Sequence, residues 1–348
     1  MKPTRRQILQ AAALVPAGAA LHVPDARHTA DLLKPITALG VVGVLLRAHP
    51  GDIRATDGVP IDARFRIAST RKPFLATVVL QLAAEGKLTL DGPAPDLRFS
   101  IRQLLQHTTG LQDDLPGYET AEEYLARRFD VHTRAELIAR ATARPLAFAP
   151  GTGWRYSNAG YLMAADVVER LTGRPLRAEI TTRILRPLGL RDTGFPGTSP
   201  YLPRPHARAY QQLGADLTDV TVQVPGDPDS MVSTASDLGR FFRALLGGRL
   251  LPPRWLAEMR RTVPVDAGLQ EIWPGMEYGL GLMRRPLPGG GVRWGHDGGD
   301  AGFATVTGVT EGGARSVVIS MSTTLAGDAA VRQQQAADRV TERLLQRT

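Results

Sequence analysis

No cysteine occurs anywhere in the 348 residues, which removes disulfides, thiol nucleophiles and thiolate metal sites at once. Lysine is nearly as scarce. Of the 42 basic residues only Lys2, Lys34, Lys72 and Lys87 are lysines, so arginine carries the formal charge of +8. The arginines fall in scattered pairs such as Arg127-Arg128, Arg260-Arg261 and Arg284-Arg285, interleaved with acids. They form no stripe with stacking aromatics, which argues against nucleic acid as a partner. No His-x-His or H-E-x-x-H pair offers a metal site, and no cofactor is implied. The G-x-S-x-G, P-loop and G-x-G-x-x-G signatures are missing as well. There is no repeat, and no stretch is apolar for long enough to cross a bilayer comfortably.

What is present begins with MKPTRRQILQAAALVPAGAALHV: a basic start at Arg5-Arg6, an Ala-rich apolar stretch, then the small residues Ala17, Gly18 and Ala19. That order reads as an export signal over residues 1–22, of the twin-arginine type, so the expected location is extracellular, cell-wall-associated or periplasmic. An exported chain without disulfides must rely on its core, which 43% hydrophobic content at this length permits.

Along the chain, ALGVVGVLLRA (38–48) reads as strand and leads through turn-rich HPGDIRATDGVPID into FRIAS; from Thr70 the pattern turns helical and closes at Gly86. Residues 100 to 200 are mostly helical, including SNAGYLMAADVVERLTG, and STASDLGRFFRALLGG (233–248) is an amphipathic helix with a hydroxyl cap. EYGLGLMRR, GVRWGHDGG, AGFATVTGV and RSVVISMST read as strands, and the chain ends in a helix. Strands at both ends with helices between them predict an α+β fold. An antiparallel sheet flanked by helices would be built from residues 30–105 and 235–348, with a mainly helical domain inserted at 106–234.

Three stretches carry chemistry. In FRIASTRKPF, Ser69 and Lys72 are three apart, which on a helix brings an amine within reach of a hydroxyl. Pro73 places the helix start at or near Ser69. The free N–H groups and dipole of that start favour an oxyanion, and burial can turn a lysine into a base. The plain alternative is a serine cap beside a solvated lysine. In RYSNAGYL, Tyr156 and Asn158 precede a helix: a phenol able to relay a proton and a carboxamide able to hold a substrate amide, or else a packed tyrosine and a helix cap. In RWGHDGGDAGF, the glycines let a strand approach a ligand, so that the N–H of Gly299 could join that of Ser69 in an oxyanion hole, with His296 pointing at a leaving group or a substrate carboxylate.

In this order and at these intervals the three stretches resemble the serine β-lactamase and penicillin-recognising family. The nearest branch is that of class C β-lactamases, D-alanyl-D-alanine carboxypeptidases and their esterase and aminopeptidase relatives. Its S-x-x-K, Y-x-N and H-x-G motifs correspond to Ser69/Lys72, Tyr156/Asn158 and His296/Gly298, and the likeness runs over residues 36 to 345. The resemblance implies a β-lactamase/transpeptidase-like fold and an acyl-enzyme. Ser69 would be the nucleophile, Lys72 and Tyr156 would share proton transfer, and Asn158, His296, Gly298 and Gly299 would bind a small-molecule or peptide substrate. The expectation is an exported carboxypeptidase-like or β-lactamase-like hydrolase acting on an amide or ester, with peptidoglycan-derived material among the candidate substrates. The alternatives are an esterase or D-aminopeptidase and, of another class, a penicillin-binding sensor with little turnover.

One position departs from the pattern. Asp297 stands where the family has a hydroxyl that meets the substrate carboxylate, and an inward-facing ionised aspartate would repel that group by about 4 kcal/mol at about 4 Å. Arg284, Arg285 or Arg293 could offset this, or Asp297 could face the other side of its strand. His107 in QHTTG is expected to serve backbone groups at a turn.

Overall fold

The computed structural model describes residues 26–92, 97–113, 115–300 and 302–346. The export signal expected at residues 1–22 lies outside them.

The chain enters with α1 (Ala26–Thr37), β1 (Val44–His49), β2 (Ile53–Asp57), β3 (Phe65–Arg66), a 3-10 turn over Ala68–Arg71 and α2 (Lys72–Ala84). Its middle holds α3 (Ile101–Gln106), α4 (Ala121–Arg127), α5 (Arg134–Thr142), α6 (Asn158–Thr172), α7 (Leu176–Ile180) and α8 (Arg186–Leu188). The hairpin β4 (Tyr210–Leu213) and β5 (Asp216–Asp219) and the short β6 (Val232–Ser233) follow. The last third runs α9 (Ala235–Leu246), α10 (Pro253–Met259), β7 (Val263–Pro264), α11 (Ala267–Ile272), β8 (Glu277–Tyr278) and β9 (Met283–Pro286). It ends with β10 (Val292–Gly295), β11 (Gly298–Asp300), β12 (Phe303–Thr310), β13 (Ser316–Met321), β14 (Thr323–Thr324) and α12 (Gly327–Leu345).

The large sheet is antiparallel throughout, in the order β2-β1-β13-β12-β10-β9-β8-β7 with β11 on β12, so both ends of the chain build one sheet. Alternation sends its side chains to two cores. Val44, Leu46, Val306, Val317 and Ile319 pack under α1 and α12, whereas Leu45, Val309 and Val318 face α9 and the helical middle. The fold class matches the sequence reading: α+β, with the sheet flanked by helices.

α2 runs through the centre of the molecule. Apolar on every side, as a helix without a solvent face must be, it buries eleven residues from Lys72 to Ala83 and stacks Phe74 on Phe241 with ring centroids 3.6 Å apart. Pro73 in its first turn and Gly86 beyond its end, at φ +73°, mark its limits as the sequence predicted.

Two strand readings are corrected. EYGLGLMRR is interrupted between β8 and β9, where a Cβ on Gly281 would come within 2.8 Å of Ala76 Cβ, and where Gly281 itself adopts φ +79°. GVRWGHDGG divides at His296-Asp297 into β10 and β11. The hairpin β4–β5 has no counterpart in the sequence reading, which took residues 106–234 as mainly helical; β4 pairs in parallel with β14.

Candidate active site

β3 pairs with β6, and Ile67 N–H bonds Met231 O at 3.0 Å, so the chain reaches Ala68 from a fixed direction. Ala68 then takes φ +48°, a left-handed conformation an alanine adopts at a cost, and the turn that follows presents Ser69. Ser69 is no helix cap. Neither the turn nor α2 has a side-chain cap bond, and the Ser69 hydroxyl lies 2.8 Å from Lys72 Nζ and 2.7 Å from Tyr156 Oη. Lys72 Nζ is also 2.6 Å from Asn158 Oδ1. The first two motifs therefore converge on one hydroxyl.

Burial sets the charge states here. Lys72 is fully buried over the rings of Tyr156 and Tyr161, with Nζ 4.6 and 5.3 Å from their centroids. Desolvation, helped by the Arg71 guanidinium, pushes its pKa well below the ordinary lysine value; Asp227, Asp113 and Asp300 pull the other way. Desolvation also raises the Tyr156 phenol well above its usual range. The pair is thus biased toward a neutral amine and a neutral phenol: a lone pair to take a proton beside an O–H to give one.

Asp113 completes the arrangement. Its carboxylate accepts from Ser157 Oγ, from the N–H groups of Asn158 and Ala159, and from Asn158 Nδ2, at 2.6 to 3.1 Å. It thereby serves the free donors at the start of α6, where the Ser157 hydroxyl also bonds Gly160 N. With Nδ2 held on Asp113, Asn158 turns its oxygen to Lys72, so the amine donates one N–H there and lies against Ser69 Oγ with the rest of its valence. Asp113→Ala is expected to cost about 2 kcal/mol of stability and at least about tenfold in kcat. Because Asp113 raises the Lys72 pKa, the alkaline-rising limb of the pH–rate profile should move to lower pH in this variant, which loss of a purely structural cap would not cause.

His107 closes α3 at φ +63°; its Nδ1 accepts from Ser157 N at 3.1 Å and its carbonyl accepts from Arg155 N, so it holds the second motif by the backbone. This matches the expected service to backbone groups at a turn.

The third motif arrives from the far side of the turn. Thr70 Oγ1 donates to His296 O at 3.2 Å, and β11 lies so close that a Cβ on Gly298 would sit 2.3 Å from Ile67 O. A Cβ on Gly299 would meet nothing within 4 Å, so this residue borders open space beside Ser69. His296, however, is brought beneath the site rather than into it. It is 1% exposed; its Nδ1 faces Asp297 O at 2.6 Å and its Nε2 faces Tyr278 Oη at 2.8 Å. A carbonyl can only accept, so Nδ1 carries the proton and Nε2 accepts from Tyr278, and neither nitrogen is left for a leaving group or a substrate carboxylate.

Asp297 lines the same hollow as Ser69, with both its oxygens engaged. One oxygen accepts from Thr307 N; the other is 2.7 Å from Arg285 and 3.0 Å from Gln334 Nε2. A paired aspartate repels far less than the isolated charge the sequence raised. The arginines that could have offset it are committed elsewhere: Arg285 binds Asp297 and Asp338, Arg293 binds Asp338, and Arg284 binds Glu277.

Three hollows meet at Gly299. One of 540 Å³ is bordered by Ser69 and Tyr156, one of 120 Å³ by Ser69 and Asn158, and one of 310 Å³ by Tyr118, Asp130 and Asp300. A wider hollow of 740 Å³, between Arg174 and Phe195, touches none of the motif residues.

Asp113 and Tyr278 were missed by the sequence reading. QDD after QHTTG shows only a polar loop, and Tyr278 sits in a run read as plain strand.

With this geometry in hand, a sequence model of the family described as Beta-lactamase matches residues 33–341. Esterase EstB of Burkholderia gladioli is 30% identical over 283 residues, 68% of this chain and 71% of that protein. Penicillin-binding protein 4* of Bacillus subtilis (strain 168) is 28% identical over 302 residues, 76% of this chain and 64% of that protein. Among solved structures, a D-stereospecific amidohydrolase from Streptomyces sp. superposes with a TM-score of 0.80 at 34% identity, covering 89% of this chain and 98% of that one. D-amino acid amidase from Ochrobactrum anthropi SV3, complexed with D-phenylalanine, gives 0.77 at 26% identity, with 92% and 98% covered.

Proposed function

The chain belongs to the beta-lactamase family and is a serine hydrolase of that fold, and on this premise we propose that it cleaves amides or esters lacking a free carboxylate beside the scissile bond. The observation that carries this reading is the commitment of the carboxylate partners named from the sequence: Arg284, Arg285 and Arg293 are each bound to an acid, and both nitrogens of His296 are engaged; Arg71, beside Ser69, is likewise paired with Asp227. A carboxylate placed there would lose water and gain no cation. The order of expectation therefore reverses, with amidase or esterase ahead of carboxypeptidase. An esterase and two amide hydrolases among the similar proteins support that order.

In this mechanism Ser69 Oγ attacks the carbonyl carbon as Lys72 takes its proton, and the N–H groups of Ser69 and Gly299 receive the oxyanion. The bond to the leaving atom then breaks, its electron pair stays with that atom, and the proton reaches it through the Tyr156 hydroxyl. Water attacks the acyl-enzyme by the reverse proton path and restores Ser69.

N-acetyl-D-alanyl-D-alanine and its C-terminal amide share a scissile bond and differ only in the carboxylate. The amide should be cleaved at least about tenfold faster in kcat/KM. Equal rates, or preference for the free acid, would contradict the reading.

A further inference from the structure

Tyr156, which passes a proton at Ser69, and Asn158, which holds the Lys72 amine, border different hollows. Tyr156 lines the wide one of 540 Å³; Asn158 lines the narrow one of 120 Å³. When a C–O or C–N bond breaks, the departing atom must lie where a proton can reach it, and the donor is Tyr156 Oη, 2.7 Å from Ser69 Oγ. The departing half of the substrate therefore extends into the wide hollow, and the acyl half lies toward Asn158.

The wall of the wide hollow comes from four elements: Leu269 and Trp273 at α11, Met283 on β9, Ala304 on β12, and Leu325 and Val331 at the start of α12. Charge on this wall is cancelled internally, since Arg285 and Asp297 are paired. Trp273 is pinned in place: its Nε1 donates to Asp338 Oδ2 at 2.7 Å, and the Arg285 guanidinium lies 4.6 Å from its ring centroid. Apolar side chains held open around a gap of this size forgo the burial that closing it would give, which is the signature of a surface kept for a ligand.

We propose, on the serine-hydrolase reading above, that the wide hollow is a leaving-group subsite that selects a bulky, apolar, uncharged alcohol or amine, with a compact acyl group on the Asn158 side. In ester cleavage the Ser69 Oγ–carbonyl bond forms, the carbonyl–alkoxy bond breaks, and the apolar alcohol leaves with the proton delivered through Tyr156.

Methyl acetate, hexyl acetate and the acetate of 6-hydroxyhexanoic acid share an acyl group and have alkoxides of similar basicity, so their kcat/KM values isolate the arm. Hexyl acetate should exceed methyl acetate by about 30-fold, and the carboxylated ester should lose most of that gain. Val331→Asp and Leu269→Asp, on separate helices, should each lower the hexyl-to-methyl ratio by about tenfold, with a thermal melt confirming that at least one of them folds. Ser69-dependent turnover of methyl acetate without preference for hexyl would overturn the subsite and leave the hydrolase reading standing. A preference that follows acyl length, with methyl hexanoate favoured over hexyl acetate, would overturn the assignment of the two hollows. No Ser69-dependent turnover of any of these esters or of the dipeptide amide would overturn both readings.

Discussion

Lys72→Met is expected to lower kcat/KM at neutral pH by about 10³ to 10⁴ while raising the thermal stability of the protein. Both effects have one cause. Lys72 is fully buried with two neutral oxygens as partners, and desolvation holds its folded pKa well below 10.5. Between that folded pKa and 10.5 the unfolded chain binds a proton that the folded chain does not, so Lys72 makes stability rise with pH across this window and costs stability below it. Methionine fills the space without that cost. The wild-type pH–rate profile should rise through the lysine pKa on its acid side, and the variant should lose that limb. A variant that kept the limb, or that was both inactive and less stable, would mean that Lys72 is a charged structural group rather than a base.

Gly298→Ala is expected to lower kcat by about 10² to 10³. The added methyl would stand 2.3 Å from Ile67 O and 2.8 Å from Thr70 Oγ1, both on the nucleophile turn or its approach, so β11 must move away and take the Gly299 N–H with it. The neighbouring change separates this from general intolerance: a Cβ on Gly299 meets nothing within 4 Å, so Gly299→Ala should leave the melting temperature where it is. A Gly298→Ala enzyme with full kcat would show that β11 contributes no oxyanion donor.

Local signals explain what was legible in the sequence. Ser69 and Lys72 lie three apart beside Pro73, and i, i+3 geometry needs no knowledge of the rest of the chain. Tyr156 and Asn158 stand just before a helix whose cap, Ser157, is itself readable, and the helices ending at Gly86 and Gly173 close on glycines with positive φ. What escaped depends on contacts between distant segments. Asp113 gains its role only because the loop after α3 folds back on the start of α6, and Tyr278 meets His296 across eighteen positions. Asp297 shows the limit most clearly. Its identity reads as a threat to carboxylate binding, but how much of its charge reaches the cleft depends on Arg285 from a neighbouring strand and on Thr307, which pair it. The partition into a wide apolar arm and a narrow one likewise comes from four elements that adjoin only in the folded chain.

Ser69 is expected to be acylated by the substrate and then freed by water. Intact-protein mass spectrometry of the wild type and of Ser69→Ala, sampled during turnover of hexyl acetate and after exposure to a penicillin, tests it most directly. A transient acetyl adduct is expected on the wild type, with continued product release, and none on Ser69→Ala. A penicillin adduct on Ser69 that persisted without ester turnover would make the protein a penicillin-binding sensor, and an acetyl adduct that formed equally on Ser69→Ala would contradict the assignment of the nucleophile itself.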